Sequence, residues 1–211
     1  MSDIIVKKAV VGMLSTNCYL LRRKDSRDCI VIDPGDDITV ILDALHRIDG
    51  ICRAIFLTHG HFDHILAVGD LRNVNIPVCI HKDDAHFLTE RDTFSSMIHH
   101  DPRPFEAPDI VFDKDGLYKA CGFEFYVMHT PGHTDGSVCY MFDDMLFTGD
   151  TLFKNSVGTT DFGGDPEKLR KSLRMLYNLP GDYEVYPGHD SATTLFDERR
   201  NNPFLKQFGQ E

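Results

Sequence analysis

The sequence predicts a mixed α/β protein with β-sheets in its core and helices outside. Short apolar runs typical of strands alternate with segments whose apolar residues recur at helical spacing. The strand-like runs are concentrated near the start and in the middle of the chain, and no repeat or low-complexity segment interrupts them. Sheets covered by helices bury the apolar faces of both kinds of element. A chain of 211 residues suits one large domain or two small ones. The sequence has no obvious interdomain linker, and we expect a single domain, residues 1–211.

The first half of the chain contains four strand-like runs, CYLLR, CIVID, RAIFLT and VCI, at residues 18–22, 29–33, 53–58 and 78–80. The segment DPGDD after the second run is typical of a turn. Residues 38–47 have apolar positions at helical spacing and predict a helix. We expect shorter helices over residues 65–73 and 82–90.

The second half is predicted to continue with strands at residues 123–129, 137–142 and 144–150, followed by a helix over 165–179 with Pro166 in its first turn. A further strand is expected to run into a turn within residues 183–190, before a last short helix over 193–202. Residues 99–109 carry three prolines and predict a loop over a cleft.

Composition limits the classes of partner. Lys plus Arg number 22 and Asp plus Glu number 33, which gives a net charge of −11 and disfavours binding to a phosphate backbone. There is no signal-peptide pattern and no apolar run of about 18 residues, so we expect a cytoplasmic protein without a membrane partner. The six cysteines form no CxxC pair and lie mostly in apolar runs, which predicts buried free thiols.

The segment THGHFDH follows an apolar strand and holds four metal-ligand side chains, His59, His61, Asp63 and His64. In a helix, residues two positions apart point about 200° apart, so His59 and His61 could not share an ion there. On a loop that leaves a strand both can turn inward. Imidazole and carboxylate groups are good ligands for zinc, iron or manganese. The alternative is a polar surface loop.

Three further segments weaken that alternative. HTPGHTDGS places His133 in a turn after a strand, FTGDTLF places Asp150 at a strand end, and VYPGHD repeats the pattern with His189. Several strands therefore each end in one metal-ligand side chain, and glycine turns accompany many of them. Functional sites are often built from loops at strand ends. The pattern predicts one metal centre.

The successive segments THGHFDH, TPGHT, TGDTLF and YPGH resemble the motifs of the metallo-β-lactamase superfamily, and the match spans residues 58–189. This resemblance implies a four-layer αββα sandwich with the metal site at one edge of two sheets. Within the superfamily the chain looks like the glyoxalase II group, the hydroxyacylglutathione hydrolases. The tail YPGHDSATTLFDERRNNPFL is similar to the ending of the short bacterial form, which lacks a C-terminal helical domain.

The resemblance implies two divalent metal ions, and every ligand position holds the expected residue type. The first ion would take His59, His61 and His133, the second Asp63, His64 and His189, and Asp150 would bridge both. We expect zinc, with iron or manganese as alternatives, because histidine and carboxylate ligands accept all three.

The chemistry implied by the resemblance is metal-dependent thioester hydrolysis. A water molecule between two divalent cations has its pKa lowered toward neutrality, and Asp63 is the candidate catalytic residue that orients or deprotonates it. A thioester suits such a site because its thiolate leaves without a strong general acid. The expected partner is a small-molecule thioester, with glutathione as a candidate thiol carrier.

Two departures from the family pattern concern the substrate. Only 22 residues follow His189, so we expect this chain to lack the helical domain that supplies basic groups to glutathione in larger relatives. Relatives also commonly carry Lys or Arg in a GRTD-like string after GDTLF, where this chain has SVGTTDFGGD with Thr159. A hydroxyl cannot form the charge-assisted pair that arginine forms with a carboxylate. Lys154 and Thr159 are the candidate substrate-binding residues.

Four other functions are compatible with parts of the pattern. A persulfide dioxygenase-like oxidoreductase uses the same scaffold with a single iron, and its GRTDF string resembles GTTDF here. A lactonase could use the same hydroxide on a different carbonyl. A metal-binding protein with little catalysis would not need complete ligand sets. A nuclease is disfavoured by the acidic charge of the chain.

Overall fold

Two six-stranded β-sheets form the centre of the structure. It is a computed structural model, and it describes residues 3–72, 76–90 and 105–209. The sheets have the strand orders β1-β2-β3-β4-β5-β6 and β12-β11-β10-β9-β8-β7. Each sheet is therefore built from one continuous half of the chain.

The first sheet has three antiparallel strands followed by three parallel ones. Its strands are β1 (Ile4–Val11), β2 (Thr16–Arg23), β3 (Asp28–Ile32), β4 (Ile51–Phe56), β5 (Val78–His81) and β6 (Ile110–Phe112). Pairing is antiparallel from β1 to β3 and parallel from β3 to β6.

The second sheet is antiparallel except for one parallel pair, β10 with β11. Its strands are β7 (Gly116–Ala120), β8 (Phe123–His129), β9 (Val138–Phe142), β10 (Met145–Gly149), β11 (Glu184–Pro187) and β12 (Thr193–Thr194).

Helices cover the outer faces of both sheets. The described helices are α1 (Ile38–Arg47), α2 (Phe62–Ile65), α3 (Val68–Leu71), α4 (His86–Thr89), α5 (Pro166–Asn178), α6 (Leu195–Asn201) and α7 (Pro203–Lys206), with 3-10 turns at Lys82–Asp84 and Gln207–Gly209. Asp165 caps α5 by accepting from the backbone N–H groups of Glu167 and Lys168. None of the described helices combines the length and apolar character needed to cross a membrane.

The core consists of three apolar layers, one between the sheets and one under each set of helices. In β4 and the residue after it, Ala54 and Phe56 belong to the layer between the sheets, and Ile55 and Leu57 belong to the layer under α1. Both faces of this strand are buried, which explains its continuous apolar sequence. The third layer lies between the second sheet and helices α5 to α7. The predicted four-layer sandwich is confirmed.

Most predicted elements are present, and the differences are local. The helix predicted at 38–47 is α1 with the same bounds. The single helix predicted at 65–73 is two short helices, and the first begins at Phe62, because the chain turns between Ile65 and Val68. The helix predicted at 82–90 is a 3-10 turn followed by α4.

Strands β1, β6, β7 and β12 were not predicted from the sequence. Strand β12 takes the first two residues of the helix predicted at 193–202, which begins at Leu195 as α6. The predicted proline-rich loop falls partly outside the described residues, since only 105–109 of it are described, without regular structure. The six cysteines are free and five of them are buried, as expected. Burial raises the pKa of Cys139 to about 12, which keeps it a thiol at neutral pH.

One buried hydrogen bond joins the two sheets near the end of β4. The Tyr140 hydroxyl on β9 donates to the Leu57 carbonyl at 2.7 Å. Tyr140→Phe removes the hydroxyl donor and leaves the buried Leu57 carbonyl without this hydrogen bond. We therefore expect the free energy of unfolding to fall by about 1–3 kcal/mol. Denaturant titration measures the change.

Tyr118→Phe is the matched control, because the Tyr118 hydroxyl donates to the Lys114 carbonyl at the surface. We expect that change to stay within about 0.5 kcal/mol. Equal losses in the two variants would contradict the role assigned to the bond between the sheets.

Candidate metal centre

The seven proposed ligands meet at one edge of the sandwich, where strands of both sheets end. His59 and His61 follow β4, Asp63 and His64 lie on α2, and His133, Asp150 and His189 follow β8, β10 and β11. Backbone bonds join the sheets here: Val138 N–H donates to the Thr58 carbonyl at 2.9 Å, and Asn17 N–H to the Gly188 carbonyl at 2.7 Å. The loops are therefore held to one another as well as to their strands.

Three histidines form the first group, called here the three-histidine half: His59, His61 and His133. His133 Nε2 lies 3.2 Å from His59 Nε2 and 2.8 Å from His61 Nδ1. Ligands about 2.0–2.1 Å from a tetrahedral zinc ion lie about 3.3 Å from one another. These two nitrogen–nitrogen distances are therefore close to those expected between ligands of one shared ion.

The second group, called the carboxylate half, consists of Asp63, His64 and His189. Asp63 Oδ2 lies 3.4 Å from His64 Nε2 and 3.3 Å from His189 Nε2. The two predicted ligand sets thus coincide with two groups whose donor atoms lie within 4.8 Å of one another.

Asp150 reaches both halves. Its Oδ2 lies 3.5 Å from His133 Nε2 and 3.5 Å from His189 Nε2, and its Oδ1 lies 3.4 Å from His64 Nε2. This close approach also requires a glycine in the last motif. A Cβ atom on Gly188 would lie 2.2 Å from Asp150 Oδ1.

Hydrogen bonds on the far side of four histidines orient the rings. The outer nitrogens, all Nδ1, have oxygen partners: Thr58 Oγ1 for His59 at 3.0 Å, Asp33 Oδ2 for His64 at 2.9 Å, the Thr159 carbonyl for His133 at 2.7 Å and the Leu14 carbonyl for His189 at 3.2 Å. If each outer nitrogen donates, each Nε2 can offer a lone pair to the centre. This is the tautomer that a metal ion requires.

Two buried atoms at the centre have no hydrogen-bond partner, His64 Nε2 and Asp150 Oδ1. Among the described residues, the Arg22 Nε atom is the one other such case. Leaving a buried polar atom unpaired costs about 1–3 kcal/mol, and more for a charged group. A cation between the two atoms would satisfy both, so the donor set fits divalent metal ions.

The two halves differ in their electrostatics. Burial lowers the pKa of His59 below its usual range and that of His61 to about 4. Burial also disfavours protonated His64 and His189, but the nearby carboxylates of Asp63 and Asp150 outweigh it and raise these pKa values to about 9 and about 10. Metal uptake at the carboxylate half must therefore displace protons, and its affinity falls as the pH falls.

Sequence reasoning missed the residue that organises the back of the centre, Asp33. This carboxylate is 2% exposed and accepts from Thr58 N–H at 2.7 Å and from the Thr58 hydroxyl at 2.6 Å, besides its bond to His64. Its backbone has φ of 51°. The available signal was its position directly after an apolar strand, which is the pattern that identified the ligands.

The two predicted substrate-binding residues lie beside the ligand cluster and contribute no donor atom to it. The Thr159 carbonyl supports His133, whereas its hydroxyl is on the exposed side and donates to Asp161 at 2.8 Å. Lys154 is exposed and follows Phe153, whose ring lies 5.7 Å from that of His189.

A second pair of histidines lies outside the centre. The rings of His81 and His129 stack at 4.0 Å with an angle of 15° between their planes, near Asp83. Lone pairs of imidazole lie in the ring plane, so two parallel rings cannot easily aim both at one ion. His81 is buried, and the structure places it in packing contact with His129.

The family profile of the metallo-beta-lactamase superfamily matches residues 11–189, a span that contains all seven proposed ligands. The chain belongs to this superfamily. The metallo-beta-lactamase fold binds divalent metal ions, which agrees with the donor set described above. The superfamily resemblance stated from the sequence is confirmed.

Individual relatives align over nearly the whole chain. Hydroxyacylglutathione hydrolase GloC of Haemophilus influenzae is 34% identical over 203 residues, covering 92% of this chain and 95% of that protein. The crystal structure of BLEG-1 B3 metallo-beta-lactamase has a TM-score of 0.85 at 36% identity, covering 95% and 99%. That of TTHA1623 in a di-iron-bound form has a TM-score of 0.82 at 35% identity, covering 94% and 100%.

The geometry predicts the metal content. Because the two halves each offer three donors and share Asp150, we expect about two metal ions per chain at saturating metal. Native mass spectrometry measures the number. A single ion at saturation would contradict the two-ion centre and favour the mononuclear iron alternative.

The position of Asp150 predicts that its loss disturbs both halves together. Asp150→Ala should lower the metal content at both and nearly abolish metal-dependent turnover, whereas His189→Ala should mainly empty the carboxylate half. Metal analysis and activity assays on the two variants test the difference. Two bound ions and normal turnover in Asp150→Ala would show that Asp150 bridges nothing.

Proposed function

We propose that the protein is a binuclear metallohydrolase of the glyoxalase II type that hydrolyses small thioesters. The observation that carries this proposal is the contact of one carboxylate, Asp150, with both halves of the ligand cluster. The similarity to hydroxyacylglutathione hydrolase GloC supports the thioester class, and the di-iron form of TTHA1623 supports a centre of two ions.

The ions, when bound, would lower the pKa of a water molecule toward neutrality and stabilise the negative charge that develops on the substrate carbonyl oxygen. The chain supplies the orientation. Asp150 and the outer hydrogen bonds of the histidines fix the donor atoms before substrate arrives, so little reorganisation remains for the reaction itself.

Asp63 is the proposed catalytic carboxylate. Burial disfavours its charge, but His64 and His189 hold its pKa well below the usual range, so it remains ionised at neutral pH. Its Oδ2 accepts from the Thr16 hydroxyl at 2.8 Å, which fixes the side chain. An ionised carboxylate held in this way can accept a hydrogen bond from the attacking water and orient it.

The thioester class follows from the leaving group. A thiolate departs without protonation, so the chain needs no general acid beside the scissile bond. It also needs no serine or cysteine nucleophile. The five buried cysteines are poor nucleophiles, because burial raises their pKa and keeps them protonated. Zinc is the proposed ion, with iron or manganese as alternatives.

Two arginines of α6, Arg199 and Arg200, contact other groups of the chain. Arg199 donates to the carbonyls of Tyr177, Leu179 and Gly181, so its guanidinium is engaged in ending α5. Arg200 lies over the Phe196 ring at 5.2 Å. Lys154, the other predicted substrate-binding residue, is exposed and lies five positions before Thr159 in the sequence.

The alternative functions differ in their substrates and in whether they consume oxygen. A persulfide dioxygenase-like enzyme would consume oxygen with a glutathione persulfide, and a lactonase would open a lactone ring. The similarity to BLEG-1, described as a B3 metallo-beta-lactamase, adds a β-lactam to the panel. Rates on a thioester, a lactone and a β-lactam, with an oxygen electrode for the persulfide, separate the four. Oxygen consumption without thioester hydrolysis would overturn the proposal.

The neutral side chain of Thr159, in place of the Lys or Arg of relatives, predicts weak recognition of the glutathione carboxylate. A charged hydrogen bond to a carboxylate contributes about 1.5–3 kcal/mol, or about 10- to 150-fold in affinity. Thr159→Arg should therefore lower KM for S-lactoylglutathione and leave kcat for a small neutral thioester nearly unchanged. The backbone carbonyl that supports His133 is retained in this variant.

Leu42→Arg is the control, since it adds the same charge at an exposed position of α1. An equal fall in KM in both variants would indicate a general effect of charge. A wild-type KM in the low micromolar range would contradict the prediction and point to Lys154 or another cation.

A further inference from the structure

Asp84 is a buried carboxylate behind the metal centre that the mechanism above does not use. It is 0% exposed and ends the 3-10 turn Lys82–Asp84. Three groups donate to it: Gly60 N–H at 2.8 Å and the Thr134 hydroxyl at 2.7 Å to Oδ2, and Gly136 N–H at 2.7 Å to Oδ1. A buried carboxylate with three donors is a fixed point in the structure.

The donors belong to the two loops that carry the three-histidine half. Gly60 lies between His59 and His61, and Thr134 follows His133 directly. The Asp84 carboxylate therefore connects one loop from each sheet directly.

The same segment also packs tightly against the first loop. A Cβ atom on Gly60 would lie 2.3 Å from the Phe87 ring, and the rings of Phe87 and His61 are 5.8 Å apart. The chain around Asp84 thus sets the position of this loop by packing as well as by hydrogen bonds.

The carboxylate half is supported by different groups. The Thr16 hydroxyl donates to Asp63, the Leu14 carbonyl faces His189 Nδ1, and Asp33 faces His64 Nδ1. None of these bonds involves Asp84. The structure therefore offers separate supports for the two halves, with Asp33 reaching His59 as well through Thr58.

We propose that Asp84 is a positioning residue that sets the metal affinity of the three-histidine half and leaves that of the carboxylate half largely unaffected. The inference rests on the proposed two-ion centre and not on the identity of the substrate. In Asp84→Asn, an amide NH2 must face at least one of the three donors, so the connection between the two loops is weakened. Loss of a group that orients metal ligands typically costs about 10- to 100-fold in metal affinity.

The test uses the His189→Ala chain, in which the three-histidine half is the remaining high-affinity site. Zinc affinity is measured by calorimetry with a competing chelator, and the circular dichroism of each metal-free protein checks folding. Into this chain are introduced Asp84→Asn, the milder Thr134→Val, which removes one of the three donors, and Thr16→Val as the matched control from the other half.

We expect Asp84→Asn to weaken zinc binding about 10- to 100-fold, Thr134→Val to weaken it less, and Thr16→Val to stay within about twofold. If Asp84→Asn does not fold without metal, Thr134→Val alone decides between the outcomes. Unchanged affinity in the folded Asp84 and Thr134 variants, or an equal loss in Thr16→Val, would overturn the proposal. Because the readout is zinc affinity, a wild-type protein without thioester turnover would contradict the proposed function and not this inference.

Discussion

The arrangement of the centre depends on one buried carboxylate, Asp33, which accepts from the Thr58 backbone, the Thr58 hydroxyl and His64 Nδ1. Through these bonds it orients His64 directly and His59 through the threonine hydroxyl. Rings that were free to rotate would lose entropy on binding an ion, so fixing them during folding favours metal binding.

The sandwich supplies the second requirement, which is to bring donors from distant parts of the chain to one edge. Strands β4, β8, β10 and β11 end there, and their loops bond to one another across the two sheets. Burial of both faces of β4 keeps the first loop in register, because a shift of one residue would exchange Phe56 and Ile55 between two apolar layers. Packing far from the candidate centre therefore contributes to the geometry of the proposed ligands.

The sequence was sufficient for the features that local chemistry determines. Apolar spacing predicted α1, and histidines and aspartates after successive strands predicted the six members of the two halves and Asp150, which the structure brings together. Asp33 and Asp84 escaped notice because an aspartate in a turn is common, and only the folded chain shows that both are buried. Strand β7 was missed because none of its residues is buried, so its sequence GLYKA has no run of core apolar residues. The ring orientations could not be predicted either, since the partners of His133 and His189 are backbone carbonyls 26 and 175 residues away in sequence.

The central claim is that this fold holds two ions between the three-histidine half and the carboxylate half. Anomalous diffraction at the zinc edge from crystals of zinc-loaded protein tests it most directly. The account predicts two peaks roughly 3.5–4 Å apart, one beside His59, His61 and His133 and one beside Asp63, His64 and His189, with Asp150 in contact with both. One peak, or two peaks with the outer histidine nitrogens turned away from their oxygen partners, would contradict it.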